Sequence, residues 1–73
     1  MKVEVESYSG HRADERPVRF RLGERWVAVA EVVDRWYDPE ATYFKVRGDD
    51  GDVYILRHDE RGDSWMLTSY RRV

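Results

Sequence analysis

The sequence predicts an all-β fold, a six-stranded antiparallel meander in one domain that covers residues 1–73. Apolar and polar residues alternate with a period of two along most of the chain, and helical periodicity is nearly absent. Turn-forming residues recur at spacings of about 8–12 residues, which is typical of short, sequentially paired strands. A chain of 73 residues is long enough for one domain only.

The composition limits both the core and the class of function. Three Trp, five Tyr and two Phe must supply most of the core, because the chain has no cysteine for a disulfide or a cysteine-based zinc site. The net charge of −2 argues against a dedicated nucleic-acid-binding domain, although eleven of the thirteen basic residues are arginine. The first 30 residues contain no signal-peptide pattern, and no apolar run is long enough to cross a membrane. We therefore expect a cytoplasmic protein without a membrane partner.

The first half of the chain reads as three strands. Residues 2–7 alternate with Val3 and Val5 on one face, and residues 9–16 are polar and read as a loop. Pro17 suits the start of the second strand, because it has no N–H to donate. In this strand the alternation places three apolar side chains inward and two arginines outward: Val18, Phe20 and Leu22 against Arg19 and Arg21.

A tight hairpin connects the second and third strands. Gly23-Glu24 has the Gly-X form of a type II′ turn. This turn predicts a register in which Leu22 lies opposite Arg25, Phe20 opposite Val27, and Val18 opposite Val29.

Residues 25–37 are too many for one flat strand. The adjacent pair Val32-Val33 breaks the alternation, so we expect a β-bulge or a sharp bend at residues 31–34. A helical turn over residues 27–36 is the competing interpretation, and the β-branched residues argue against it.

The second half predicts three more strands and three turns. The turns are residues 38–40, residues 48–51, where Asp50-Gly51 favours positive φ, and residues 59–63. The strands are residues 41–47, 53–58 and 64–70. The inward positions predicted for them are Phe44 and Val46, then Val53 and Ile55, then Trp65 and Leu67.

Six such strands would leave long exposed edges in a flat sheet. Curling removes most of these edges, so the sequence predicts a small, SH3-like, partly open barrel. The matching alternation of residues 2–7 and 64–70 suggests that the first strand pairs with the last. Whether the barrel closes stays open at this point.

The sequence offers little for catalysis. His11 and His58 are the only histidines, and the serines stand in no nucleophile context. His58 reads as an exposed residue at a strand end. The acidic residues 49, 50 and 52 lack the spacing of a calcium loop and are explained by turn formation. We therefore expect a non-enzymatic protein with no cofactor, no catalytic residues and no metal site.

Aromatic and basic residues are interleaved, which is typical of binding surfaces on small barrels. Such surfaces stack bases or hold extended peptides. The aromatic side chains predicted for the core are Phe20, Trp26, Phe44, Tyr54 and Trp65. Trp36 and Tyr37 are predicted to be partly exposed beside the turn at Pro39. The candidate binding residues are Arg35, Trp36, Tyr37, Tyr43, Arg47 and Arg57.

The order of aromatic and turn residues resembles a family of short uncharacterised bacterial proteins, a domain of unknown function. The resemblance covers residues 17–70. It rests on five segments: Phe20-x-x-Gly23-x-x-Trp26, Glu31-Val32-x-x-x-Trp36, Tyr43-Phe44-x-Val46, Gly51-x-x-Tyr54-x-Leu56-x-x-Asp59 and Gly62-x-x-Trp65-x-Leu67. It implies a stand-alone cytoplasmic protein with an accessory role near DNA-repair or translesion-polymerase components. It carries over no catalytic residues.

Two functions follow as expectations. The first is a protein–protein interaction or accessory module with an unidentified protein partner, acting as a monomer or a weak homodimer. The alternative is weak binding of single-stranded nucleic acid by an accessory protein linked to DNA repair.

Overall fold

The computed structural model describes residues 1–9 and 15–72, which form six antiparallel strands and no helix. The strands are β1 (Lys2–Ser9), β2 (Glu15–Leu22), β3 (Arg25–Tyr37), β4 (Ala41–Gly48), β5 (Val53–Asp59) and β6 (Ser64–Arg71). Each strand pairs with the next, and β1 also pairs with β6, so the meander closes into a small barrel. The predicted all-β, SH3-like architecture is confirmed.

The closure between β1 and β6 is short. It consists of the pairs Lys2–Met66 and Val3–Trp65. The backbone N–H of Leu67 also donates to the carbonyl of Met1 across 2.7 Å. The predicted pairing of the first and last strands is therefore confirmed, and the barrel is closed at this seam.

The core lies inside the barrel and draws on every strand. Its fully buried side chains are large: Phe20, Val27, Phe44, Val46, Tyr54 and Leu56. Phe20 and Tyr54 meet edge to face with 4.8 Å between ring centroids. Four of the five aromatic core predictions are confirmed. Trp26 is the exception, because it lies on the outer face, half-buried, with the guanidinium of Arg19 4.5 Å from its ring centroid.

The turn predictions agree with the structure. Gly23 has φ of +61° and Glu24 does not have a positive φ, as a type II′ turn requires. The predicted pairs Leu22–Arg25 and Phe20–Val27 are present, but the ladder ends at Arg19–Ala28, so the predicted pair Val18–Val29 is wrong. At the next turn, Asp38 Oδ1 accepts hydrogen bonds from the backbone N–H groups of Glu40 and Ala41.

The strand ladders of the described residues contain four register shifts, and three of them bear on the predicted bend and strand faces. In β3 the register shifts between Val29 and Glu31 and again between Val32 and Asp34, which confirms the predicted bend and excludes the helical alternative. In β2 a bulge leaves Val18 without a partner in β1, so Val18 is 46% exposed and the predicted inward position is wrong. An extra residue reverses the side-chain phase, which the alternation of one strand does not reveal.

Strand β5 is turned over relative to the prediction. Tyr54, Leu56 and His58 point inward, whereas Val53 and Ile55 are on the outer face and only half-buried. Both faces of this strand carry apolar residues, so its alternation alone fits either orientation. Two loop boundaries also differ: Ser9 belongs to β1, and Glu15 and Arg16 belong to β2. The rest of the predicted loop, with His11, lies outside the described residues.

Candidate functional site

Three of the six candidate binding residues form a row on the outer face of the barrel. Trp36 pairs with Tyr43, and Tyr43 pairs with Arg57, across β3, β4 and β5. Residues directly opposite each other in a sheet share a face. The Trp36 and Tyr43 rings are nearly parallel, at 3°, with 5.5 Å between their centroids. The row therefore presents one planar aromatic stack beside one guanidinium.

The negative charge of the Asp38 carboxylate offsets part of the positive charge of this row. Its pKa is lowered first by the hydrogen bond from the Glu40 backbone N–H, with smaller contributions from Ala41, Arg57 and Tyr43. Arg57 is therefore one of the groups that stabilise the ionised carboxylate of Asp38. The aromatic row is not a purely basic surface.

The other three candidates do not join the row. Arg47 is on the same outer face, where its guanidinium is 2.6 Å from Glu31 in an ion pair. Arg35 is on the opposite face, with its guanidinium 4.9 Å from the ring centroid of Phe44. Tyr37 follows Trp36 directly, so it points to the other side of the strand. The six residues therefore divide between two faces.

Most of the remaining arginines on the barrel wall are also paired with carboxylates. Arg19 lies 2.6 Å from Glu6, Arg21 lies 3.9 Å from Glu4, and Arg25 lies 3.5 Å from Asp50. The hydrogen bond from Arg19 lowers the pKa of Glu6. Exposed pairs of this kind contribute little to stability, but they cancel local charge. The arginines of the described chain do not converge into a basic groove.

A different feature stands out between β2 and β3. These two strands pair only from Arg19–Ala28 to Leu22–Arg25. Beyond that point residues 15–17 pair with β1, residues 29–37 pair with β4, and within the described chain no ladder joins the two strands. We call residues 15–18 of β2 and 29–37 of β3 the fork.

The fork contains a cleft of about 270 Å³ where the two strands diverge. It is lined by Arg16, Pro17, Val18, Val29, Ala30, Glu31 and Val32. Most of these side chains are apolar. Glu31 is held by Arg47, and the guanidinium of Arg16 lies 5.4 Å from the ring centroid of Tyr8. The cleft therefore combines apolar side chains with strand backbone along its walls, and its exposed surface is more polar than apolar.

The pairing of the neighbouring strands tells which backbone groups of β3 face the fork. Gly48 donates its N–H to the carbonyl of Asp52 across 2.9 Å, so its backbone groups point to β5. In an antiparallel strand every second residue points the same way, and the β4–β5 register is regular, so Phe44 and Val46 also point to β5. Their partners in β3, Arg35 and Val32, therefore direct their own N–H and C=O groups into the fork.

Both walls of the fork have a group that limits strand pairing. On β2, Pro17 has no N–H to offer. On β3, the N–H of Arg35 already donates to Oδ1 of Asp34, its own neighbour, across 2.8 Å. Val32, on β3, is neither a proline nor a residue whose N–H is bound by the side chain of its own neighbour.

The sequence did not reveal the fork. The signal that could have found it is a difference in length, since β3 has 13 residues and β2 has only 8, so part of β3 must extend beyond its first partner. The exposure of Val18 and Val33, both near half, marks the same region.

One end of the barrel holds a polar cluster that the sequence also missed. His58 is buried at 5% exposure, and its Nε2 lies 3.0 Å from Oδ1 of Asp63. Thr42, its neighbour in β4, donates its hydroxyl to Glu60 across 3.1 Å. The expectation of an exposed histidine is wrong, because Trp65 covers its ring. Among residues 1–9 and 15–72, no group of three or more His, Cys, Asp or Glu is arranged to hold a metal ion.

Comparisons with protein-family models, curated proteins and solved structures find no match. The resemblance over residues 17–70 therefore stays a prediction. Within the described residues, no helix is long and apolar enough to span a membrane.

Proposed function

We propose that this chain is a non-enzymatic, cytoplasmic protein–protein interaction module that binds an extended segment of a partner protein in the fork. The observation that carries the proposal is the divergence of β2 and β3 beyond Arg19–Ala28. It leaves a cleft with several apolar lining side chains beside strand backbone that points into it, which is the arrangement used in recognition by strand addition.

The cleft also indicates the chemistry of the segment. Pro17, Val18, Val29 and Val32 provide apolar walls, and the carboxylate of Glu31 is neutralised by Arg47. Burial of a cationic side chain there would lack a free counter-ion, because Arg16 is the other charged lining residue. We infer that the segment brings an apolar side chain, and no cationic one, into the cleft.

The test is selection from a displayed library of random seven-residue peptides, followed by hydrogen exchange on the complexes. We expect the selected peptides to slow exchange at Val32 and to leave the outer row of Trp36 unaffected. N-methylation of the peptide backbone keeps the side chains and removes N–H donors, so it should abolish binding. Failure to select any peptide that protects the fork would refute the proposal.

Val18 and Val33 give a matched pair of variants. Both are exposed to a similar extent, but only Val18 lines the cleft. Val18→Asn should weaken peptide binding about tenfold, since burial of a valine contributes about 1.5 kcal/mol or more. Val33→Asn should leave the affinity within about twofold. Equal losses in the two variants would contradict binding in the cleft.

A second function, binding of single-stranded nucleic acid in DNA repair, is favoured by the parallel Trp36–Tyr43 stack beside Arg57. Stacking of bases on such rings tolerates any sequence. The ion-paired arginines favour the first proposal instead. Titration of a twenty-residue oligothymidylate at low salt distinguishes the two: binding that weakens with salt and is lost in Trp36→Ala supports this second function, and absence of binding refutes it.

A further inference from the structure

We propose that Asp34 is a guard residue that occupies the outward N–H of Arg35 on the β3 edge, so that a partner segment pairs at Val32 and stops before Arg35. This inference rests on the proposed binding in the fork. It goes further by naming the residue that limits the length of the docked segment and keeps two copies of the chain apart.

The backbone N–H of Arg35 faces the open side of β3. Phe44, its partner in β4, points its own backbone groups to β5, so Arg35 points its N–H into the fork. An N–H in this position is the group that an added strand would use. Oδ1 of Asp34 accepts it at 2.8 Å, so the group is already satisfied within β3.

A β-bulge immediately precedes Asp34. The register shifts between Val32 and Asp34 and leaves Val33 as the extra residue, nearly half exposed. Bulges bend a strand and interrupt a regular ladder. Asp34 and the bulge therefore both interrupt strand pairing at the residues that follow Val32.

Without Asp34, the β3 edge would be open to pairing with a second copy of the chain. Val33, Trp36 and Tyr37 are exposed apolar residues on or next to this edge. An unguarded edge with exposed apolar residues pairs with the same edge of another copy.

The position of Val32 limits the length of the partner segment. A segment that pairs with Val32 places one side chain near Val32 and Pro17 in the cleft. The segment meets the bulge and the capped N–H of Arg35 on one side and the paired section of β2 and β3 on the other. It is therefore short, with an apolar residue at its centre.

The experiment compares Asp34→Ala with Asp34→Asn and with Asp49→Ala. Asp34→Ala removes the acceptor, Asp34→Asn keeps an acceptor oxygen without the charge, and Asp49→Ala removes a charge at an exposed position in the β4–β5 hairpin. Sedimentation velocity at increasing concentration measures self-association, and amide exchange measures the Arg35 N–H.

We expect the wild-type protein and Asp49→Ala to remain monomeric and Asp34→Ala to dimerise. Exchange at Arg35 should be faster in the Asp34→Ala monomer and slower in its dimer, and Asp34→Asn should stay close to wild type. A wild-type dimer through β3, or an Asp34→Ala variant that neither dimerises nor changes exchange at Arg35, overturns the guard role.

These results separate the guard from the proposed function. The library peptides should protect Val32 but not Arg35 in the wild type, and they should protect both residues in Asp34→Ala. If no peptide binds the fork, the proposed function fails, while self-association and exchange of Asp34→Ala still decide the guard role. If peptides bind but already protect Arg35 in the wild type, the guard role fails and the proposed function stands.

Discussion

The imidazole of His58 lies parallel to the indole of Trp65, with 4.2 Å between the ring centroids and 15° between the planes. Both residues are almost completely buried, although they lie beside the exposed turn that connects β5 and β6. The edge of the imidazole is held by the contact of Nε2 with Oδ1 of Asp63. His58 thus closes this end of the core although it is polar. Trp65 covers a face of its ring, and Asp63 contacts its Nε2 nitrogen.

Asp63 should matter for stability through both its side chain and its backbone. Its φ of +49° is in the left-handed region, which Asn and Asp tolerate better than alanine does. We expect Asp63→Ala to lower the free energy of unfolding by about 1–3 kcal/mol, from the lost contact with His58 and the backbone strain. Asp63→Asn, the control, should lose less than about 1 kcal/mol. Urea unfolding measures both, and equal losses would contradict this explanation.

Gly48 lies where the β4–β5 hairpin approaches the core closely. A Cβ atom at this position would be 2.6 Å from Val27 Cγ1 and 3.1 Å from Tyr54 Cε1. We expect Gly48→Ala to cost about 1–3 kcal/mol, because both neighbours are fully buried and the core would be overpacked. Gly62→Ala is the control, since the nearest atom to its Cβ is 3.9 Å away. Thermal unfolding should show a lower Tm for Gly48→Ala only.

The hydrogen bond from Tyr54 to Asp50 should make the free energy of unfolding depend on pH in the acidic range. Burial acts to raise the pKa of Asp50, but the hydrogen bonds from Tyr54 and the Asp52 N–H, together with Arg25, hold it below its ordinary value. A carboxyl group with a lowered pKa in the folded state stabilises the fold above the unfolded-state pKa of about 4. That contribution is lost as the pH falls from about 4 through the folded-state pKa.

Asp50→Asn tests this prediction, because asparagine can still accept the Tyr54 hydrogen bond but does not titrate. We expect wild type to lose more free energy of unfolding than Asp50→Asn between pH 5 and pH 2, measured by urea titration. Asp49→Asn, in the same hairpin, should behave as wild type. An Asp50→Asn variant with the full acid dependence of wild type would contradict the prediction.

Trp36 and Tyr37 should differ in their contribution to stability despite being neighbours. Trp36 is 37% exposed and stacks on Tyr43, whereas Tyr37 is 67% exposed on the other side of the strand. We expect Trp36→Ala to cost about 1–2 kcal/mol, because a stacked aromatic pair adds about 0.5–1.5 kcal/mol beyond its buried area. Tyr37→Ala should stay within about 0.5 kcal/mol. Chemical unfolding of the two variants gives the comparison, and a larger effect of Tyr37→Ala would refute it.

The sequence predicts the six strands, their order and most turns, because alternation and turn chemistry act locally. Gly23-Glu24 determines the register of β2 and β3, and Asp50-Gly51 lies in the turn that joins β4 and β5. Val32-Val33 also marks the bend in β3 correctly.

The inward face of β5 could not be predicted in the same way. Val53 and Ile55 are as apolar as Tyr54 and Leu56, so the choice of face depends on neighbouring strands. Likewise, the bulge at Val18 arises from pairing with β1, and the burial of His58 depends on Trp65 from another strand. The candidate binding set divides between two faces for a simpler reason: Arg35, Trp36 and Tyr37 are consecutive, and consecutive residues of a strand alternate sides.

The short seam between β1 and β6 has a consequence for the order in which the chain folds. The other five strand pairings join sequential neighbours, whereas Val3 and Trp65 are 62 positions apart. Among the six strand pairings, this one requires the largest loss of loop entropy and forms the fewest contacts. The sequential hairpins therefore assemble first, and the seam forms last, after the transition state. Changes in the seam should accelerate unfolding and leave the folding rate nearly unchanged.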